Sequence, residues 1–129
     1  MVIDASAVVA ILFDAPERAP FAAAIDAAAP RLLSAVTFVE ATLVVEGRKG
    51  PSAERMVDRF VEDGEIEVVP VAVEHARLAC AAFRAFGKRR HPANLNLGDC
   101  FAYALAKATG EPLLFKGDDF SKTDIARVT

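Results

Sequence analysis

Short apolar runs that suit β-strands alternate with longer segments of helical spacing along this chain. The predicted strands cover residues 1–4, 31–34, 66–69 and 112–115, and a last short strand covers residues 125–128. The predicted helices cover residues 5–13, 21–29, 36–46, 51–62, 73–86 and 98–109. Because strands that alternate with helices pair in parallel through right-handed crossovers, the sequence predicts an α/β fold, a three-layer α/β/α sandwich around a small central parallel sheet.

Helix boundaries are predicted from glycine, proline and capping residues. Gly47 is expected to end the third helix, and Pro51 is expected to open the fourth. Ser6 is the expected cap of the first helix. The 129 residues suit one domain over residues 1–129 and are too few for two substantial cores.

The composition indicates a protein that associates with itself or with a partner. Apolar residues make up 53% of the chain, a surplus over what so small a core can bury, so we expect a homodimer or partner surface. No apolar run approaches the roughly 18 residues of a membrane span, and the first residues show no charged leader pattern, so we expect no membrane association and a cytoplasmic location. Cys80 and Cys100 lie in predicted helices and are expected to be reduced core thiols.

Four acidic residues stand in apolar surroundings where an isolated charge is unfavourable: Asp4, Glu40, Asp99 and Asp118. An unpaired carboxylate in such a setting costs several kcal/mol, and these segments hold too few basic residues to pair each acid. A bound divalent cation would resolve the conflict. If the four acids converge, the site is a cage of hard oxygen ligands for Mg²⁺ or Mn²⁺, which most often serves phosphate chemistry.

The predicted scaffold brings these acids toward one edge of the sheet. Asp4 and Asp118 lie at or just beyond the carboxyl ends of strands, where open α/β sheets bind ligands. Glu40 shares a helical face with Val36, Leu43 and Val44, so it is expected to point toward the packed side. Asp99 lies in the first turn of its helix, where the macrodipole favours an anion.

Each acid also has a purely structural explanation. Asp4 suits a turn at a strand end, Glu40 a partly buried helix position, Asp99 a helix N-terminus and Asp118 a solvated turn. The joint placement of all four favours a functional site. The formal net charge of −3 argues against bulk electrostatic binding of nucleic acid, but a bound cation would cancel much of the local repulsion toward phosphate.

Four motifs in order resemble PIN-domain ribonucleases, and more closely the VapC toxins of bacterial toxin–antitoxin pairs. They are VIDASA (residues 2–7), SAVTFVE (34–40), LGDCFAYA (97–104) and LLFKGDDF (113–120), and the likeness covers nearly the whole chain. The resemblance implies a metal-dependent endoribonuclease that cuts RNA with a metal-activated water until a cognate VapB-type antitoxin occupies its groove. It implies a single PIN domain over residues 1–129.

The resemblance also implies roles for individual residues. Asp4 and Asp99 would be the principal ligands of Mg²⁺ or Mn²⁺, with Glu40 as a third acid. Asp118 is favoured over the adjacent Asp119 as the fourth, because it is nearer the strand end. Ser6 and Thr37 match polar positions of the motifs and are expected to hydrogen-bond ligands or bound water.

Two other protein classes with acids at strand ends do not fit this sequence. A receiver domain would need an aspartate at the end of the middle strand, and a dehalogenase-type phosphatase would need one where Ser6 stands. The basic stretch ending in His91 suits either contacts with RNA phosphates or a solvated loop. The alternative from another class is a non-catalytic PIN-like module that binds RNA or an antitoxin without cutting.

Overall fold

The computed structural model describes residues 1–128. Its four parallel strands, β1 (Val2–Ile3), β2 (Leu32–Ser34), β3 (Glu67–Val69) and β4 (Leu113–Leu114), form one sheet in the order β3-β2-β1-β4. Within the described residues the helices are α1 (Ala5–Leu12), α2 (Arg18–Ala27), α3 (Ala35–Lys49), α4 (Met56–Asp63), α5 (Val73–Phe86) and α6 (Leu97–Thr109). All six predicted helices and four of the predicted strands are therefore present. The predicted three-layer α/β sandwich is confirmed.

Side chains alternate between the two faces of the sheet, as the period of a strand requires. Val2, Leu32 and Leu113 face a core built with α5 and α6. The next residue of each strand packs into a second core with α1, α3 and α4. The strands read as continuous apolar runs because both faces are covered, which is typical of a parallel sheet.

Several predicted boundaries were wrong for local reasons. Helix α3 continues through Gly47 to Lys49, because its last turn is closed by Gly50, whose φ of 83° suits only glycine readily. The predicted fourth helix is divided into a short 3₁₀ turn, Pro51–Ala53, and α4. The predicted strand over residues 125–128 is reduced to one bridge between Arg127 and Leu113.

The apolar surplus predicted from composition appears at the surface of α3 and at the start of α6. Val39, Leu43 and Leu97 are 53%, 65% and 72% exposed. Cys100 is buried as expected, whereas Cys80 is exposed, so its assignment as a core thiol was wrong. Within residues 1–128, no helix combines the length and the apolar character needed to cross a membrane.

Candidate active site

Asp4 is a buried acid at the point where β1 turns into α1. Its backbone N–H donates to the Leu114 carbonyl at 2.9 Å, which fixes it beside the end of β4. Its Oδ2 accepts hydrogen bonds from the Ser6 backbone N–H at 3.0 Å and from the Ser6 hydroxyl at 2.6 Å. Asp4 therefore caps α1, a role that the sequence had suggested for Ser6. The side chain is only 2% exposed.

Ser6 connects Asp4 to the loop after β4. Its hydroxyl donates to Asp4 and accepts the backbone N–H of Lys116 at 3.0 Å. The carboxyl ends of the two neighbouring strands are thereby held in register through one side chain. Ser6 does hydrogen-bond one of the four predicted acids, and it leaves the Asp4 carboxylate with one fixed orientation.

Glu40 approaches the site from α3 and depends on a glycine in another helix. A Cβ atom at Gly98 would overlap both carboxylate oxygens of Glu40, so the carboxylate lies directly against the backbone of α6. Glu40 thus points toward the packed side, as expected, although its helical neighbour Leu43 is largely exposed. Sequence reasoning missed Gly98, although its position directly before Asp99 was a usable signal.

Asp99 lies in the first turn of α6, as predicted, and its orientation is set by a second missed residue. The Asp99 carboxylate accepts the backbone N–H of Asn96 at 2.9 Å, and the Asn96 side chain accepts the backbone N–H of Asp99 at 2.9 Å. This reciprocal pair is a capping box, and it explains why α6 begins at Leu97 rather than Gly98. The spacing Asn-x-x-Asp contained that signal.

The acidic pair Asp118 and Asp119 lies in the turn after β4. Asp118 and Asp119 are both exposed and follow Gly117, whose φ is 95°. The charge of Asp119 raises the pKa of both Asp4 and Asp99. The charge of Asp118 has no such effect on Asp4, Glu40 or Asp99.

The remaining acids are coupled electrostatically. Burial raises the pKa of Asp4, against the lowering effect of its bonds to Ser6. Burial also raises the pKa of Glu40 to about 7, with smaller contributions from the charges of Asp4 and Asp99. The pKa of Asp99 rises to about 6 for the same main reason. Burial is the main cause of these shifts and the charges of neighbouring acids add to it, so a positive charge in the cluster would favour the ionised forms.

Asp4, Glu40 and Asp99 line one cavity of about 370 Å³. Within residues 1–128, Oδ1 of Asp4 and Oε1 of Glu40 are buried without a hydrogen-bond partner. The hydroxyl of Thr37, another residue singled out by the motifs, is also buried and unpaired, although Thr37 does not line this cavity. Buried polar atoms normally have partners, so this concentration of unpaired oxygens indicates a place for a ligand.

Comparison with known proteins decides the family. The family model of the PIN domain matches residues 1–126. The chain belongs to the PIN-domain family. It is 48% identical to ribonuclease VapC30 of Mycobacterium tuberculosis over 128 residues, covering 99% of this PIN domain and 98% of the relative. It is 44% identical to ribonuclease VapC of Mycolicibacterium smegmatis, with 99% of each chain covered. Within the family, the chain therefore belongs with the VapC ribonucleases.

Solved structures support the fold of this PIN domain. The crystal structure of Mycobacterium tuberculosis VapC20, a toxin that cleaves the sarcin–ricin loop, superposes with a TM-score of 0.79 at 15% identity, covering 98% of this chain and 97% of that one. A toxin–antitoxin complex from Klebsiella pneumoniae gives a TM-score of 0.70 at 18% identity, with 99% and 95% covered. At these identities the comparisons establish the fold.

The residues of this PIN domain fit a hard divalent cation. Within residues 1–128, no three His, Cys, Asp or Glu side chains are close enough to surround a metal ion by themselves. Mg²⁺ does not need such a cage, because it usually keeps several waters and takes one or two carboxylates together with substrate phosphate. The unpaired oxygens of Asp4 and Glu40 supply that partial set, and their repulsion is what a cation would relieve.

His91 and Cys100 have structural roles in this PIN domain. His91 Nδ1 accepts the backbone N–H of Ala93 at 3.0 Å, and its ring packs edge-on against Phe86 at 5.2 Å. Cys100 is buried beside Asp99, and burial raises the pKa of its thiol to about 11. A thiol that stays protonated is a poor nucleophile, so Cys100 acts as a small core residue.

Proposed function

We propose that this protein is the toxin of a type II toxin–antitoxin system, an endoribonuclease that requires Mg²⁺ or Mn²⁺. One observation carries the proposal. The buried, unpaired oxygens of Asp4 and Glu40 share a cavity with Asp99, in a chain that closely resembles named VapC ribonucleases over nearly its full length. Cutting of cellular RNA accords with the cytoplasmic location expected from the sequence.

One or two of Asp4, Glu40 and Asp99 would hold the metal directly, and the others, with a fourth acid from the loop after β4, would reach it through coordinated water. For that fourth acid we propose Asp119 rather than Asp118. Of these two, Asp119 is the one whose charge raises the pKa of Asp4 and of Asp99. When bound, such a cation lowers the pKa of a coordinated water and stabilises the departing 3′ oxygen, which leaves 5′-phosphate and 3′-hydroxyl ends.

The protein's own residues prepare the site for that chemistry. Ser6 fixes the orientation of the Asp4 carboxylate, and Asn96 does the same for Asp99 through its backbone N–H. Gly98 leaves room for Glu40 to reach the start of α6. Ligands held by other groups lose little freedom when a cation and RNA bind, so the site is organised before the substrate arrives.

The decisive experiment is cleavage of a mixed, structured RNA pool by the purified protein, with the fragment ends mapped. The wild type is compared in Mg²⁺, in Mn²⁺ and in EDTA, beside Asp4→Asn and Asp99→Asn. Asp63→Asn serves as the matched control, because Asp63 is an exposed aspartate at the end of α4. We expect metal-dependent cleavage that both site variants lose by orders of magnitude and that the control retains.

Two results would contradict the nuclease. Cleavage that persists in EDTA would exclude the metal mechanism. Intact RNA under every condition, with the wild type folded and binding metal by calorimetry, would favour a PIN-like module that binds RNA or an antitoxin without cutting it.

We infer that a VapB-type antitoxin inhibits the protein, since a relative by fold was solved as a toxin–antitoxin complex. The helices of the N-terminal half offer a groove between α1, α2 and α4, lined in part by Leu12, Met56 and Phe60. An apolar antitoxin segment suits this groove. Co-purification with the antitoxin should be lost on Met56→Glu, while RNA cleavage by the free variant persists.

We also propose a homodimer through the exposed apolar residues of α3 and α6. Val39, Leu43 and Leu97 line a groove of about 690 Å³ that also includes Glu40, so a second copy would close one side of the active site. Light scattering after gel filtration should give a dimer that Leu43→Glu converts to a monomer. Val73→Glu, a change at a residue 70% exposed on α5, should leave the mass unchanged. A monomeric wild type would contradict the proposal.

A further inference from the structure

The cavity that holds the acids continues to a positively charged wall. Besides Asp4, Glu40 and Asp99, it is lined by Phe13 and by two basic side chains, Arg48 and Lys116. A volume of about 370 Å³ lies at the small end of the range for ligand pockets, roughly 300–1,000 Å³, and suits about one nucleotide.

The two basic residues of this wall differ in whether an acidic side chain of the protein pairs with them. The ammonium group of Lys116 lies 3.3 Å from a carboxylate oxygen of Glu17. Arg48 forms no salt bridge within residues 1–128. Its guanidinium lies 5.1 Å from the centre of the Phe13 ring, an arrangement that orients the group without neutralising it. Arg48 therefore brings an unmatched positive charge into a cavity otherwise dominated by acids.

The position of Arg48 on α3 relates it directly to Glu40. The two residues are eight apart, which is about 12 Å along a helix and two turns plus about 80°, so both fall within one broad side of α3. Long side chains on a helix lean toward its N-terminus, which turns Arg48 back toward Glu40. A nucleic acid strand bound at the acids would pass this guanidinium at its next phosphate rather than at the bond being cut.

We propose that Arg48, braced against Phe13, is a binding site for an RNA phosphate adjacent to the cleaved bond. This inference rests on the proposed ribonuclease function. Arginine suits the role, because its planar guanidinium binds phosphate through two parallel hydrogen bonds and remains charged throughout. It gives RNA a favourable contact at a site whose acids otherwise repel the backbone.

Lys49 provides a matched control on the same helix. Its ammonium lies 5.1 Å from the same Phe13 ring, so it equals Arg48 in charge and in distance to the ring. Lys49 does not line the cavity. A loss of RNA affinity in Arg48→Ala alone would therefore indicate that RNA is bound in the cavity. Equal losses in both variants would indicate only an effect of the protein's overall charge.

The test is binding of a fluorescently labelled RNA hairpin, measured by anisotropy over a salt series in Mg²⁺. All variants carry Asp4→Asn so that the probe stays intact. We expect Arg48→Ala to weaken binding about tenfold or more and to reduce the slope of log affinity against log salt by about 0.7, the share of one phosphate contact. Lys49→Ala should weaken binding less than about twofold. Arg48→Lys should restore part of the affinity, because it returns the charge without the paired hydrogen bonds.

Three outcomes would overturn the inference: equal losses for Arg48→Ala and Lys49→Ala, no loss for Arg48→Ala, or no binding by the parent protein. Thermal melts confirm that each exposed substitution leaves the fold intact. The measurement needs no cutting, so it is separate from the cleavage assay. A wild type that binds RNA through Arg48 without cleaving it would refute the nuclease and leave the phosphate site standing.

Discussion

A buried charged group lies at each end of β1, and the two groups differ in how completely they are hydrogen-bonded. At one end, the amino group of Met1 donates to the Pro30 carbonyl at 2.7 Å and pairs with Glu111 at 2.8 Å. At the other end, Asp4 accepts two hydrogen bonds through Oδ2 from Ser6. Its Oδ1 has no partner within residues 1–128.

This difference shows that the fold can satisfy a buried charge where nothing else is required of it. Leaving a buried acceptor unpaired costs about 1–3 kcal/mol, so such an atom calls for an explanation. Among residues 1–128, four buried side-chain atoms lack a hydrogen-bond partner, and three of them belong to Asp4, Thr37 and Glu40. Asp4 and Glu40 line the same cavity, which supports a ligand there rather than a packing defect.

The largest expected effect comes from replacing a carboxylate by an amide at each end of β1 in turn. Asp4→Asn should reduce RNA cleavage by orders of magnitude and leave the melting temperature unchanged or higher, because it removes a buried, repelled charge. Glu111→Gln should leave cleavage unchanged and cost about 1 kcal/mol of stability, because the Met1 amino group loses its ionic partner. Cleavage rates and thermal melts of both variants measure this. A stable, active Asp4→Asn would break the comparison.

The next effect tests whether the position of the Glu40 carboxylate depends on the absence of a side chain at Gly98. Gly98→Ala should destabilise the protein by about 1–3 kcal/mol and slow cleavage about tenfold or more, because the new methyl group displaces the Glu40 carboxylate. Gly47→Ala is the control. Gly47 lies inside α3 with open space around its Cβ position, so that change should stabilise the protein by about 0.5–1 kcal/mol.

A double-mutant cycle identifies the cause of the Gly98→Ala defect. In a Glu40→Ala background the carboxylate is gone, so Gly98→Ala should then cost little stability. Equal losses in both backgrounds, measured by denaturant unfolding, would place the strain elsewhere in the start of α6.

A smaller effect concerns the two exposed acids after β4. Asp119→Asn should lower cleavage about tenfold, because its charge reaches both Asp4 and Asp99. Asp118→Asn should lower it about twofold or less. Metal affinity measured by calorimetry should follow the same order. The reverse order would restore the assignment of Asp118 made from the sequence.

Much of the fold and the acids of the site could be predicted because their signals are local. Strand and helix periods are written in neighbouring residues, and an acid inside an apolar run is conspicuous wherever it occurs. Asp4, Glu40 and Asp99 were identified in this way, and the structure places all three on one cavity. The resemblance supplied the order of motifs that joined them.

The missed features depend on contacts between distant segments. The need for glycine at Gly98 comes from Glu40 on another helix, so the position of Gly98 before Asp99 could mark it for attention but could not show why glycine is required. The inclusion of Arg48 in the cavity follows from the extension of α3 beyond Gly47, which depends on the turn at Gly50. The choice between Asp118 and Asp119 depends on the direction of an exposed loop that strand periodicity does not define.

The smallest expected effect is a dependence of stability on pH that arises from the acids near Asp4. Raised pKa values mean that folded Glu40 and Asp99 keep protons that the unfolded chain has released. Between the ordinary pKa of Glu40, 4.5, and about 7, the folded state therefore binds more protons, and stability falls as pH rises through that window. We expect the metal-free protein to melt a few degrees lower at pH 8 than at pH 5.

Glu40→Gln should flatten this dependence, because it removes the group with the higher of these two pKa values. Added Mg²⁺ or Mn²⁺ should raise the melting temperature most at pH 8, where the carboxylates are ionised and a cation that binds only the folded state stabilises it by mass action. Thermal melts across pH, with and without metal, measure both effects. A metal-free protein that is more stable at pH 8 than at pH 5 would show that the acids around Asp4 are already compensated by the protein itself.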